Sequence, residues 1–316
     1  LVLDRNGNKM SKRLGNAVDP FEVIARLGAD PLRWYMLSNS QPWENLKFDL
    51  AGVEEVVRKF FGTLHNTYSF FSLYANVDGF TPATPQIPMG KRTEMDRWVI
   101  SRLNTLVREV TEAFDDYEPT KATRAIQEFV GEDLSNWYVR LNRKRYWGGG
   151  MTEDKLAAYQ TLYTCLETVA RLMAPVAPFY AEQLYSDLHP EAERAAHPQS
   201  VHLTDYPSAD GTLIDGQLEK RMRMAQRITS LVLALRRKVA IKVRQPLARI
   251  MVPVLNEEFA HNLKAVEPVV LNELNVKSIE YLGADNTVIV KRVKPNFKVL
   301  GPRFGAQMKT LATVLE

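Results

Sequence analysis

Cysteine is the scarcest residue of this sequence, with Cys165 the only one in 316 residues. No disulfide can close within the chain, and a structural zinc site built on thiolates lacks its ligands. The setting Leu162-Tyr163-Thr164-Cys165-Leu166 is apolar and helical in pattern, which predicts a buried inert thiol rather than a nucleophile. Such sparse usage fits a reducing cytosol. The five histidines (His65, His189, His197, His202, His261) fall at no metal-ligand spacing, so no metal site is expected. No apolar run approaches the length of about 18 residues that a membrane helix needs. The opening Leu1-Val2-Leu3-Asp4-Arg5-Asn6-Gly7-Asn8 is too short in its apolar part for a secretory signal and has no initiator Met. It reads as a strand and turn cut from something longer. Fixed-period repeats and low-complexity tracts are missing too.

Acidic residues are missing locally rather than overall. Lys and Arg number 41 against 37 Asp and Glu, a net charge of only +4. Residues 221–249 nevertheless carry nine basic side chains and no acid, and residues 136–147 carry Arg140, Arg143, Lys144 and Arg145 with no acid. Clustered positive charge is the footprint of a protein that binds a polyphosphate backbone, although solvated helix faces look the same from charge alone.

The length allows one large domain or two to three smaller ones. Asp19-Pro20 opens a short helix that Gly28 stops, and Asp30-Pro31 repeats the start signal. Residues 49–75 predict a long helix with Val53, Val56, Val57, Phe60, Phe61, Leu64 and Tyr68 at helical spacing. After a Pro-rich linker at 78–88, helices are expected at 93–116, 119–147, 152–174 and 177–188. Val130, Leu134, Trp137 and Leu141 form the seam of the second, which Gly148-Gly149-Gly150 ends; Trp137 is a core residue on this pattern. Long helices joined by short turns imply a bundle. A boundary at 189–214 precedes a helix at 215–239, with seam Leu218, Met222, Ala225, Ile228, Val232, Leu235 and Val239. Apolar runs at Ile250-Met251-Val252, 276–282 and 287–290, with helical stretches near 256–272 and 303–315, suggest a small α/β unit. The fold expected is mainly α, a helical bundle with a small C-terminal α/β unit. Its three parts are 1–48, 49–210 and 211–316.

The sharpest chemical signal is Lys9-Met10-Ser11-Lys12-Arg13 between Gly7 and Gly15. Two ammonium groups three residues apart on a Gly-flanked turn can stabilise negative charge developing on phosphates when pyrophosphate leaves ATP. A flexible basic turn has the same composition. On the helix at 119–147, Asn136, Arg140, Arg143 and Trp147 follow at steps of four, three and four, one stripe beside the apolar seam. Guanidinium groups there can bind phosphates bidentately and an exposed Trp can stack on an unpaired base. Arg145 is a further basic candidate on this helix. Arg244, in the turn Lys242-Val243-Arg244-Gln245-Pro246, is another, where Pro246 alone would also explain a turn.

The run K-M-S-K-R-L-G-N-A-V-D-P followed by G-A-D-P-L-R-W-Y resembles the second nucleotide signature of class I aminoacyl-tRNA synthetases. The commonest form of that signature ends in Ser where this chain has Arg13, so no role of the final Ser is transferred. D-R-W-V-I-S-R-L-N (96–104) is similar to segments of the isoleucine and valine members. Y-E-P-T-K-A-T-R-A-I-Q-E-F-V (117–130) with D-L-S-N-W-Y-V-R-L-N-R-K-R-Y-W (133–147) is similar to the isoleucine members in particular. L-M-A-P-V-A-P-F-Y-A-E-Q-L-Y (172–185) and K-P-N-F-K-V-L-G-P-R-F-G (294–305) agree.

That resemblance implies an anticodon-binding helical bundle. It also implies a loop in which Lys9 and Lys12 act on the ATP phosphates and Lys9, Met10, Ser11 and Lys12 form the nucleotide contact. tRNA(Ile), isoleucine and ATP would be the partners, with Mg alongside ATP in the full enzyme. A cytoplasmic monomer without membrane attachment is expected. The His-x-Gly-His signature that completes such active sites does not occur here, so the chain is expected to bind tRNA without activating an amino acid by itself. The alternatives are the same region of a valine or leucine enzyme, or a helical RNA-binding module without catalysis.

Overall fold

A computed structural model describes residues 1–189, 198–254, 256–283, 296–308 and 310. It divides into two compact units, Leu1–Arg223 and Met224–Glu316. The chain is mainly helical, as expected, and the sheets among the described residues are two pairs of parallel strands.

The first unit opens with β1 (Val2–Leu3), which pairs with β2 (Leu46–Lys47). Between them lie α1 (Pro20–Leu27) and α2 (Ala29–Asn39). Asp19 caps α1 by accepting the N–H of Phe21 at 2.8 Å, and Gly28, with φ 90°, turns the chain directly into α2. The repeated start signal does something else. Asp30 is buried and accepts the N–H of Tyr180 at 2.6 Å, so it caps a distant helix instead of its own. Burial pushes its carboxyl up, and the hydrogen bond from Tyr180 only partly offsets this.

Next comes a single rod: α3 (Leu50–Val56), a π-helical turn (Val57–Phe61) and α4 (Gly62–Asp78). Val53, Val56, Phe60, Phe61 and Leu64 of the expected seam are buried. The wider π turn lets two consecutive aromatics face inward, where Phe60 stacks on Trp34 at 4.2 Å and Phe61 meets it edge-on at 6.1 Å.

At the centre lies α5 (Glu94–Asp115), packed against α6 (Pro119–Glu128), the π-helical stretch Phe129–Val139 and α8 (Glu153–Met173). α7 (Arg140–Trp147) completes the rod that Pro119 begins, and α9 (Pro178–Leu188) packs on α8. Trp137 is core, as expected, at 4% exposure, and Cys165 is fully buried.

One carboxylate organises this centre. Asp96 closes a capping box with Thr93 at the start of α5. It also accepts the Tyr138 hydroxyl at 2.6 Å and both terminal nitrogens of Arg145, at 2.7 and 2.8 Å. Burial pushes Asp96 up, but the Arg145 guanidinium, with the Tyr138 and Thr93 hydroxyls, outweighs it and holds the carboxyl below its ordinary value. Nearby, Lys155 is buried in an ion pair with Asp78 and donates to the carbonyl of Gly148 at 2.7 Å, holding the turn that follows α7.

In the second unit, β3 (Leu247–Pro253) and β4 (Val276–Leu282) pair in parallel with Ile250 opposite Ile279, connected through α11 (Glu257–Leu274). Ile250, Val252, Val276, Ile279 and Leu282 of the strands and Leu263, Val266, Val270 and Leu274 of the helix are buried. Among the described residues the unit's other α-helices are the end of α10 (Gly216–Lys238) and α12 (Phe297–Phe304). The seam predicted for α10 holds only through Ile228. Leu235 and Val239 are exposed, and the buried position near the helix end belongs to Arg236. The apolar run expected at 287–290 lies outside the described residues, as does most of the end of the stretch at 303–315.

Asp96 makes a stability prediction. Its folded value is depressed, so its contribution is present above the ordinary carboxylate value of 3.8 and is lost as pH falls through the folded value. Urea unfolding at pH 7 should show Asp96→Asn less stable by about 3–5 kcal/mol, the cost of breaking a buried pair. The gap to wild type should shrink below pH 3.8. A gap that is constant into strong acid would contradict the assignment.

Candidate nucleic-acid interface and phosphate loop

The loop after β1 is built by two polar side chains. Asp4 accepts the N–H groups of Asn6 and Asn8 at 2.9 and 2.8 Å and the amide of Asn16 at 3.0 Å. Hydrogen bonds from the Asn8 backbone and the Asn16 side chain hold its carboxyl below the usual range. Asn16 then staples the loop across its base, donating to the Lys9 carbonyl at 3.2 Å and accepting the Ser11 N–H at 2.9 Å. Residues Lys12–Leu14 make one tight turn that Gly15 ends in the left-handed region at φ 65°. Lys9, Lys12 and Arg13 stand exposed, while Met10 and Ser11 are half-buried. The arrangement presents cations outward from a braced backbone, which suits oxyanions arriving from solvent. Sequence reasoning named the lysines but missed Asn16 as the staple; its signal was an Asn directly after a turn glycine.

The outer face of α7 and of the π-helical stretch before it comes next. Asn136, Arg140, Arg143 and Trp147 are all exposed, Trp147 at 58%, while Tyr138, Asn142 and Tyr146 of the same rod are buried. The stripe read from the sequence is therefore on the surface. The Arg140 Nε donates back to the Asn136 carbonyl at 2.8 Å, which lays its side chain along the helix. Arg143 sits with its guanidinium carbon 6.0 Å from the centroid of the Phe70 ring. Phe70 in turn packs on Tyr74 at 5.0 Å and on Tyr146 at 5.1 Å. Phe70 and Tyr74 of α4, both half-buried, thus extend the patch beyond the residues singled out from sequence, and Lys144 of the basic cluster is exposed beside it. Their signal was aromatic residues on the α4 rod away from its apolar seam.

Arg145 is a correction. Its terminal nitrogens meet both oxygens of Asp96, and its Nε and Nη2 bind Asp154 at 3.0 and 2.8 Å. A fifth bond reaches Asn142 at 3.2 Å. With these donors engaged, the side chain has nothing left to offer a phosphate and serves the fold. Burial pulls Arg145 down, but Asp96, Tyr138 and Asp154 together raise it above its ordinary value, so it stays charged.

In the second unit, Arg244 is exposed in the turn 242–246, and the turn itself is held from beneath. Arg236, 3% exposed, donates to the carbonyls of Lys242 and Gln245 at 3.1 and 3.0 Å. Asn275, at φ 52°, donates to those of Val243 and Arg244 at 3.1 and 3.2 Å. Four successive carbonyls face inward and the Lys242 and Arg244 side chains are exposed. The basic run at 221–249 is thereby reduced: Arg236 is structural, and Arg249 pairs with Glu280 at 3.1 Å across the strands.

Comparison with known proteins matches these regions. Residues 96–252 match the anticodon-binding domain of tRNA ligases, and residues 1–49 match the class I tRNA synthetases of the I, L, M and V group. The chain is 61% identical over its whole length to an isoleucine–tRNA ligase of Bacteroides fragilis, of which it covers 28%. Against the isoleucine–tRNA ligase of Thermus thermophilus identity is 42%, with all of this chain and 30% of the relative covered. The chain therefore spans less than a third of the length of these curated relatives. Among solved structures, the LeuRS–tRNA–LeuAMS ternary complex of Agrobacterium radiobacter K84 shares the fold, with TM-score 0.51 and 17% identity over 90% of this chain and 32% of that one. A Mycobacterium tuberculosis methionyl-tRNA synthetase in complex with methionyl-adenylate has TM-score 0.50 and 26% identity over 63% of this chain and 40% of its own. The chain belongs to the class I aminoacyl-tRNA synthetases, as a part of an isoleucine–tRNA ligase that includes its anticodon-binding domain.

Proposed function

We propose that this chain grips tRNA(Ile) and handles the ATP phosphates for an enzyme that joins isoleucine to that tRNA through an aminoacyl-adenylate. The observation that supports it most is the outer face of the π-helical stretch and α7, where Asn136, Arg140, Arg143 and Trp147 are exposed together while the inner face is buried and hydrogen-bonded. Arginines on that face neutralise phosphates, and Trp147 offers a flat ring to an unpaired base of the anticodon loop. Lys144 adds charge to the same face. Arg244 and Lys242, on their braced turn, form a second phosphate contact.

At the loop, Lys9 and Lys12 stabilise the charge that develops as pyrophosphate leaves, with Lys12 the more important and Met10 and Ser11 lying along the nucleotide. Magnesium would enter with ATP; among the described residues no three His, Cys, Asp or Glu side chains converge to hold a metal. The working protein is a cytoplasmic monomer in this reading. Its parts are the end of the catalytic domain at 1–48, the anticodon-binding bundle at 49–210 and a tRNA-binding α/β unit at 211–316. No helix among the described residues is long and apolar enough to cross a membrane.

Two experiments test this. In a salt titration of tRNA(Ile) binding, Arg140→Ala should lower the slope of log K against log salt by about one contact's worth. Trp147→Ala should weaken binding by about 1–3 kcal/mol and leave the slope alone. Unchanged affinity in both variants would remove α7 as the interface. In the full-length enzyme, Lys12→Ala should slow isoleucine-dependent ATP–pyrophosphate exchange by roughly 100- to 1000-fold, and the 316-residue chain alone should not exceed a blank. Exchange that survives the substitution would exclude Lys12 from the phosphate chemistry.

A further inference from the structure

Helix α2 is capped by α6 at its far end and caps its neighbours in return. The last carbonyls of an α-helix have no partner inside the helix. In α2 those of Leu37, Ser38 and Asn39, with that of the following Ser40, are met by two side chains of α6. The Thr120 hydroxyl lies 2.6 Å from the Leu37 carbonyl and 2.9 Å from that of Ser40. Arg124 donates from Nε to Ser38 at 2.7 Å and from Nη2 to Asn39 at 2.8 Å. A guanidinium at this end also complements the helix dipole. Trp34, fully buried, donates to Gln127 one turn further along at 3.2 Å.

The reverse contacts run from the first turns of α2. Arg33 donates to the carbonyls of Val176 and Pro175, at 2.8 and 3.2 Å, in the turn between α8 and α9. Asp30 accepts the Tyr180 N–H at the start of α9. On its other side α2 holds the phosphate loop's frame. The Tyr35 hydroxyl donates to the Lys47 carbonyl at 3.0 Å and accepts the Asp49 N–H at 3.1 Å. Lys47 lies in β2, which pairs with β1, and Leu3 of β1 bridges to Lys9. A short, continuous chain of hydrogen bonds therefore joins the loop to the bundle through α2.

We propose that α2 is a strut of fixed length and that Thr120 and Arg124 are positioning residues for aminoacyl transfer, setting where tRNA held by the bundle meets the centre served by the phosphate loop. Neither side chain lies on the RNA face, and neither touches the loop. Arg124, although basic and exposed, is a helix cap and not a phosphate ligand. Its nearest functional consequence is geometric: a displacement on the order of 1 Å between a bound substrate and its reacting centre can cost about 100-fold in rate.

The inference rests on the functional reading above, and a three-part assay on the full-length enzyme separates the two. The variants are Thr120→Val, Arg124→Gln, their combination, and Arg124→Lys. The measurements are ATP–pyrophosphate exchange, the tRNA dissociation constant, and the single-turnover rate of isoleucine transfer from the enzyme-bound adenylate to tRNA. In the combined variant the transfer rate should fall by roughly 10- to 100-fold, with exchange and tRNA affinity within about twofold of wild type. Arg124→Lys should recover part of the loss. Equal losses in all three measurements would overturn the proposal, leaving Thr120 and Arg124 as support for folding alone, and so would a transfer rate that does not change. A wild-type enzyme that neither binds nor charges tRNA would instead defeat the functional reading itself.

Discussion

A buried carboxylate with its hydrogen bonds satisfied is the constraint on which the outer face of α7 depends. Asp96 has no exposed surface and accepts bonds from the backbone and hydroxyl of Thr93, from Tyr138 and from Arg145. These partners come from the start of α5, from the π-helical stretch and from α7. An unpaired charge at that depth would be costly, so the three elements keep their relative rotation. Rotation of α7 is what decides which residues meet solvent. With Arg145 turned inward to Asp96, Arg140, Arg143, Lys144 and Trp147 are turned out. The cation missing from that outer face is the one that orients it.

Helix ends supply the second organising rule. Helix ends leave orphan carbonyls and N–H groups, and in this unit several are met by side chains from elsewhere in the bundle rather than by local caps. Thr120 and Arg124 serve α2, Arg33 serves the turn after α8, and Asp30 serves α9. The second unit repeats the device on a turn, where Arg236 and Asn275 take four consecutive carbonyls. In each case a polar side chain is committed to backbone.

This explains which features were legible in the sequence. Helix bounds were, because Asp19-Pro20, Thr93 with Asp96, and Gly148-Gly149-Gly150 act over a few residues. The seams of α3, α4 and the rod from Pro119 were as well, since burial follows their period even through π turns. Arg145, Asp30 and Arg236 were not. Their partners lie 49, 150 and up to 39 residues away, and spacing along one helix says nothing about a counter-charge or carbonyl on another. The stripe of Asn136, Arg140, Arg143 and Trp147 was readable as one face. That Phe70 and Tyr74 border it is a product of packing between α4 and α7, which no local pattern encodes.

The central claim is that the outer face of α7 lies against the anticodon arm. Gly149, just past that face, has open space where a Cβ would be, and Cys165, the only native cysteine, is fully buried. An iron–EDTA group tethered to Gly149→Cys would therefore report from one place. With tRNA(Ile) bound to the chain, hydroxyl-radical cleavage should centre on the anticodon stem and loop. Cleavage centred on the acceptor arm, or none above that of the unlabelled protein, would contradict the assignment of this face.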